Sequence, residues 1–169
     1  MEGLIFKGGV DSFNVKAWKG AAEYFIDVVK YSDIIFTQGW ASSKQKFDTT
    51  ALIYAGYSSQ NAGNLEETIF YYKRLLDNKV ATPELVDVYR YLLIQLIDKK
   101  DKAQFDTYLA LSVAAYPNES WVEYSTEYID KNLSIDEKVA MFDKLVAGGN
   151  ISELECQMFG DMFMSGKSA

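Results

Sequence analysis

Between Thr50 and Leu76 the chain carries two stretches of helical periodicity joined by a turn no longer than Asn61–Asn64. Leu52, Ala55, Gly56 and Ser59 share one face of the first stretch. Leu65, Thr68, Ile69, Tyr72 and Leu75 share one face of the second, because side chains three or four positions apart stack on the same side of a helix. Helices this short are marginal alone and gain their stability from packing an amphipathic face. The two faces can pack on each other and on a neighbouring copy, so the pair demands further pairs beside it.

The rest of the sequence supplies them. Leu4, Ile5, Gly8, Gly9, Ser12 and Phe13 fall at helical spacing. A glycine inside a helix costs about 1 kcal/mol relative to alanine, so Gly9 reads as a point of close backbone approach. After a turn at Asn14–Lys16, Trp18, Ala21, Ala22, Phe25, Val28 and Val29 form a stripe ending near Ser32. Ile34–Phe47 breaks the pattern and is expected to be a loop or extra helical turn folded back on its neighbours, with Trp40 a large apolar side chain within it. Asp48 or Thr49 is placed to cap the next helix and Asn64 the one after, where Glu66 and Glu67 meet the positive end of the helix dipole. Thr82-Pro83-Glu84 signals another start, and Leu85, Val88, Tyr89, Leu92, Leu93, Leu96 and Ile97 follow on one face. Phe105, Tyr108, Leu109, Ser112 and Val113 mark a helix that ends at Tyr116-Pro117. Asn118 is expected to cap a helix with Trp121, Tyr124, Ser125 and Tyr128, and Ser134 with Glu137 forms a capping box ahead of Val139, Phe142, Leu145 and Val146. Gly148-Gly149 stops that helix, and Ser152 caps a last one with Cys156, Phe159, Gly160 and Phe163. The expectation is nine helices, no strand and an all-α fold.

Composition narrows the chemistry. The chain of 169 residues contains no histidine, so the usual general base and the usual metal ligand are both missing. Its single cysteine, Cys156, excludes an internal disulfide and reads as a buried small hydrophobe rather than a reactive thiol. A net charge of −7 argues against a nucleic-acid partner, which needs a Lys/Arg surface. No apolar run approaches the roughly 20 residues that span a bilayer, so no membrane insertion is expected. Met1–Gly20 lacks the pattern of a signal peptide. The acidic pairs Glu66-Glu67 and Asp136-Glu137 sit at helix starts, where dipole compensation explains them better than paired acid–base catalysis. No metal, cofactor or enzymatic activity is expected.

The contact residues Gly56, Leu93, Ser125 and Gly160 recur near the roughly 34-residue period of helix-turn-helix repeats, with Gly9 further upstream because of the 34–47 insertion. On these positions, on Leu52-x-x-Ala55-Gly56, Gly63-Asn64-Leu65 and Tyr72-x-x-Leu75, on Trp18, Ala21, Phe25 and Val28, and on Trp121, Ser125, Tyr128 and Pro117, the chain resembles the tetratricopeptide repeat family. Thr68, Phe105 and Lys138 depart from it, standing where a packing alanine is usual. The resemblance implies a single right-handed α-solenoid over 1–169, with repeats at 2–33, 48–80, 83–117 and 118–149 and an unpaired terminal helix at 151–165.

It further implies a non-enzymatic scaffold that holds a peptide or protein segment in the groove lined by the first helix of each pair. Transferred positions are Phe6 and Val10, then Ile53, Tyr57, Gln60 and Asn61, then Asp87, Arg90, Ile94 and Asp98, then Val122, Thr126 and Asp130. Such a surface suits a partner of basic or mixed apolar character. Ile53 and Tyr57 replace the lysine and asparagine of the subtype that grips terminal carboxylates, so recognition of carboxyl-terminal tails is not expected. The alternative is a small-ligand or glycan-binding module using the aromatic-rich groove and the 34–47 insertion. Exposed array ends would also permit self-association. Similar arrays occur in the cytoplasm and, behind a removed signal, in the bacterial periplasm.

Overall fold

The structure is a computed structural model that describes residues 2–39, 47–149 and 151–165. Among the described residues there are nine α-helices and no strand: α1 Glu2–Asn14, α2 Trp18–Thr37, α3 Thr49–Asn61, α4 Leu65–Asp77, α5 Leu85–Asp98, α6 Lys102–Ala115, α7 Val122–Asn132, α8 Ile135–Ala147 and α9 Glu153–Ser165. The fold is all-α. Two compact units emerge, Met1–Leu92 and Leu93–Ala169, with the boundary inside α5.

In the first unit each helix packs on the next, α1 on α2, α2 on α3 and α3 on α4. Phe25, Leu52, Ala55, Leu75 and Leu76 are fully buried between them. The Phe25 ring stacks on Tyr54 at 4.8 Å and meets Phe6 edge-on at 5.5 Å. Burying such a side chain contributes roughly 1.5–3 kcal/mol. Close approach depends on two glycines. A Cβ on Gly9 would lie 2.9 Å from the Phe25 ring, and one on Gly56 only 2.4 Å from the Tyr72 ring.

Four helix ends share one backbone solution. Ala17, Asn64, Val80 and Asp101 each donate an N–H five residues back, to Ser12, Ser59, Leu75 and Leu96, which gives orphan terminal carbonyls a partner. The residue before each takes a left-handed conformation: Lys16 (φ 59°), Gly63 (φ 78°), Lys79 (φ 55°) and Lys100 (φ 57°). Only Gly63 advertises this in sequence. At the helix starts Asp48, Asn64 and Asp101 accept from the N–H groups of Ala51, Glu67 and Gln104. Ser134 and Glu137 form the expected capping box, and Ser152 exchanges the same bonds with Glu155.

Several expectations need correction. The stripe of α2 ends near Ser32 but the helix runs on to Thr37, the extra helical turn of the two alternatives for this stretch, and Asp33 within it receives a two-pronged ion pair from Arg74 of α4, with one contact at 2.7 Å. No glycine or proline interrupts Ile34–Thr37, and α2 ends only where Gly39 turns left-handed at φ 70°. Trp40 and the rest of 40–46 lie outside the described residues. Asn118 does not cap α7, which starts at Val122 behind Trp121; the Trp121 indole donates to the Tyr116 carbonyl at 3.0 Å and holds that turn. Cys156 is exposed and Gly160 meets nothing within 4 Å. The buried face of α9 is Phe159 and Met162, so the Cys156–Gly160 stripe was phased about a quarter turn off. Val139 and Val146 of α8 are likewise solvent-facing.

The second unit has a smaller apolar cluster. Ile129 of α7 meets Phe159 and Met162 of α9, with Leu133, Phe142, Leu145 and Phe163 around them. Phe105 of α6 and Tyr128 of α7 meet at 4.6 Å between ring centres, tilted by 30°. Lys138, at a position where the repeat pattern favours alanine, is 8% exposed. Its ammonium donates to the Asp130 carbonyl and to Asp130 Oδ1, both at 2.9 Å, at the negative end of α7.

Candidate functional site

The residues expected to line a groove behave differently in the two units. In the first, Ile53 is half-buried and Tyr57 is 44% exposed. Tyr57 leans on Phe13 and Trp18, at 5.6 and 6.1 Å between ring centres. Gln60 spends its oxygen on the Tyr72 hydroxyl at 2.8 Å, and Asn61 donates its amide to the Tyr57 carbonyl at 2.9 Å. Phe6 packs against Phe25 and Tyr54, and Val10 is half-buried. Asp87 and Arg90 face each other across one turn of α5 at 3.1 Å. These groups largely serve the fold. Burial raises the Tyr72 hydroxyl well above its ordinary value, with Tyr91 and Tyr57 adding to the effect. A recess of about 220 Å³ lies against α2 and the α3–α4 turn, with Lys19 and Glu23 on one side and Asn64 and Glu67 on the other.

In the second unit Ile94 and Val122 are exposed apolar side chains. Asp98 pairs with Lys131 at 3.4 Å. Thr126 and Asp130 are brought together, in a cleft of about 580 Å³ that sequence reasoning located only in part. Its first wall is α7: Glu123, Thr126, Glu127 and Asp130, at the spacing of a single helix face. Its second wall is α9: Met158, Asp161, Met162 and Ser165, again one face. A smaller recess of about 240 Å³ adjoins it, sharing Asp130, Met162 and Ser165 and adding Ile135 and Lys138.

The cleft is built on internally fixed groups. The Thr126 hydroxyl donates to the Val122 carbonyl at 3.0 Å and contacts the Met158 sulfur at 3.3 Å, which sets that thioether across the cleft. Glu127 is bridged by Lys131 at 2.7 Å, and this hydrogen bond is the main reason the lysine's pKa lies above its ordinary value. Asp130 is engaged by Lys138, which lines the adjoining recess. Glu123 accepts from the Ser120 hydroxyl at 2.6 Å. Asp161 has no partner among the described residues. Among the described residues the lining therefore combines four carboxylates with two thioethers and no cation.

Glu123, Glu127 and Asp130 carried a legible signal, the i, i+4, i+7 spacing of one acidic face. The α9 wall was obscured by the misphased stripe. Among the described residues no group of three or more Asp, Glu or Cys side chains is arranged to hold a metal ion. No described helix is long and apolar enough to cross a membrane.

No protein-family model, no curated protein and no solved structure matches the chain.

Proposed function

We propose that this chain is a non-enzymatic interaction module of tetratricopeptide-like repeats that binds a segment of a partner protein. The observation that carries the reading is the α7–α9 cleft. It lies between a helix of one proposed pair and the next first helix, where the family resemblance puts the recognition surface, and it includes the transferred positions Thr126 and Asp130. The consecutive packing of α1 to α4 and the shared turn geometry at Gly63-Asn64 and Lys100-Asp101 support repeated helix pairs of solenoid type. The cleft offers an apolar floor for an anchor side chain and fixed acceptors for orientation, the usual composition of a peptide site. The lack of histidine in the sequence fits binding rather than catalysis.

The test is selection of peptides from a display library on the purified chain, with counter-selection on Thr126→Arg. Thr126 is partly exposed in the cleft, so arginine there fills it without entering the core. Enriched sequences that bind the native chain and lose at least tenfold in affinity on the variant agree with the proposal. No enrichment, or binding indifferent to Thr126→Arg, refutes it.

A further inference from the structure

Resting on the reading of the α7–α9 cleft as the binding face, we infer that its occupant is a basic amphipathic segment that places two cationic side chains around an apolar anchor. Among the described residues the cleft lining holds Glu123, Glu127, Asp130 and Asp161 and no basic residue. Two of these charges are already balanced within the fold, Glu127 by Lys131 and Asp130 by Lys138. The remaining two, Glu123 on α7 and Asp161 on α9, stand on opposite walls. Among the described residues Glu123 has only the neutral Ser120 hydroxyl, which leaves its charge intact.

On the α9 wall, Met158 and Met162 flank Asp161. Thioether side chains are polarisable and adaptable, and they accept varied apolar shapes. The Thr126 contact orients Met158, so part of this floor is set before a partner arrives. Positive side chains on the partner meet Glu123 and Asp161 while an apolar side chain between them covers the sulfurs. An acidic segment would add like charge to both walls, and a wholly apolar one would bury carboxylates without partners. A metal ion is a poor alternative occupant: among the described residues no three carboxylates converge. The chain's overall charge of −7 speeds the approach of such a basic segment.

The experiment titrates the purified full chain with three fluorescent peptide pools of equal length: basic–apolar, neutral–apolar and acidic–apolar. The basic–apolar pool is expected to bind tightest, and to weaken as salt rises from 50 to 500 mM. Glu123→Gln and Asp161→Asn should each weaken it about two- to fivefold, the range for a partly exposed ion pair. Asp143→Asn, which removes the same charge from an exposed site on α8 outside the cleft, should not. Circular dichroism confirms that each variant is folded. Equal losses in Asp143→Asn mean non-specific attraction to an acidic protein and overturn the inference. So does preference for neutral or acidic peptides; if those are still lost on Thr126→Arg, the cleft reading survives and only the partner chemistry fails. Binding insensitive to Thr126→Arg overturns both. Self-association of the chain at the titration concentrations, abolished by Thr126→Arg, gives the cleft to a second copy and also overturns the inference.

Discussion

Replacing Gly56 with alanine should destabilise the protein although alanine is the better helix former. A Cβ there would sit 2.4 and 2.5 Å from Cε1 and Cδ1 of Tyr72, against the 3.4 Å at which ordinary contact begins. The ring must therefore retreat by about 1 Å. It has little room: Tyr72 is 2% exposed, its hydroxyl is held by Gln60 at 2.8 Å, and its edge meets Tyr91 at 5.9 Å. Overpacking of this kind costs about 1–3 kcal/mol, and a strained buried hydrogen bond adds about 1 kcal/mol. Alanine's helix propensity returns about 1 kcal/mol. The expected net loss is about 2 kcal/mol, read as a lower urea midpoint at unchanged slope. Gly160→Ala is the matched control, since that glycine lies inside α9 and meets nothing within 4 Å. It should gain about 0.5–1 kcal/mol. If Gly56→Ala equals or exceeds the native protein while Gly160→Ala behaves as stated, α3 and α4 do not approach as closely as the glycine implies.

Three further outcomes follow from named contacts. Lys138→Ala should cost about 2–3 kcal/mol, because it vacates buried volume and removes both bonds to Asp130, while Lys138→Met should cost about 1 kcal/mol by keeping the packing; equal losses in chemical denaturation would contradict a packing role. Because the folded state holds Tyr72 protonated above the ordinary value of 10.0, the unfolded chain ionises first, so stability should be intact below about pH 10 and fall as pH rises beyond it; denaturation curves from pH 8 to 11 should fall less steeply for Tyr72→Phe. Lys79→Gly should stabilise by about 0.5–1 kcal/mol, since glycine adopts φ 55° without the side-chain penalty, and a lower melting temperature would refute the assigned turn.

Much of the architecture was legible because short helices leave strong local marks. Asp48, Asn64 and Ser134 announced starts through their side-chain oxygens, and Gly63 announced a turn. What stayed hidden depended on partners distant in sequence. The apolar stripe of α2 ends near Ser32, and the pairing of Asp33 beyond it with Arg74, on another helix, leaves no local mark. Lys16, Lys79 and Lys100 occupy left-handed turns that lysine does not advertise, because the surrounding hydrogen bonds impose the conformation. The misphasing of α9 has a similar origin. A short helix with apolar residues on more than one side gives several stripes of comparable quality, and only Ile129 and Phe142 select the face with Phe159 and Met162.

The same ambiguity explains why the cleft was half-read. On α7 the positions transferred from the repeat pattern, Thr126 and Asp130, reached the cleft, while their counterparts in the first unit were drawn into local bonds. Gln60 holds Tyr72 and Asn61 holds a backbone carbonyl, so those polar groups are partly spent before any partner arrives. In the second unit Lys131 of the same helix engages Glu127 and Lys138 of the following helix engages Asp130, while both carboxylates still line the cleft. Met162 belongs to both the apolar cluster and the cleft floor. A segment pressed onto it would bury more apolar surface on α9, the last described helix, whose buried anchors are only Phe159 and Met162. The proposed recognition and the docking of α9 would thus draw on one side chain, and a segment bound to the folded state would strengthen the unit it touches by mass action.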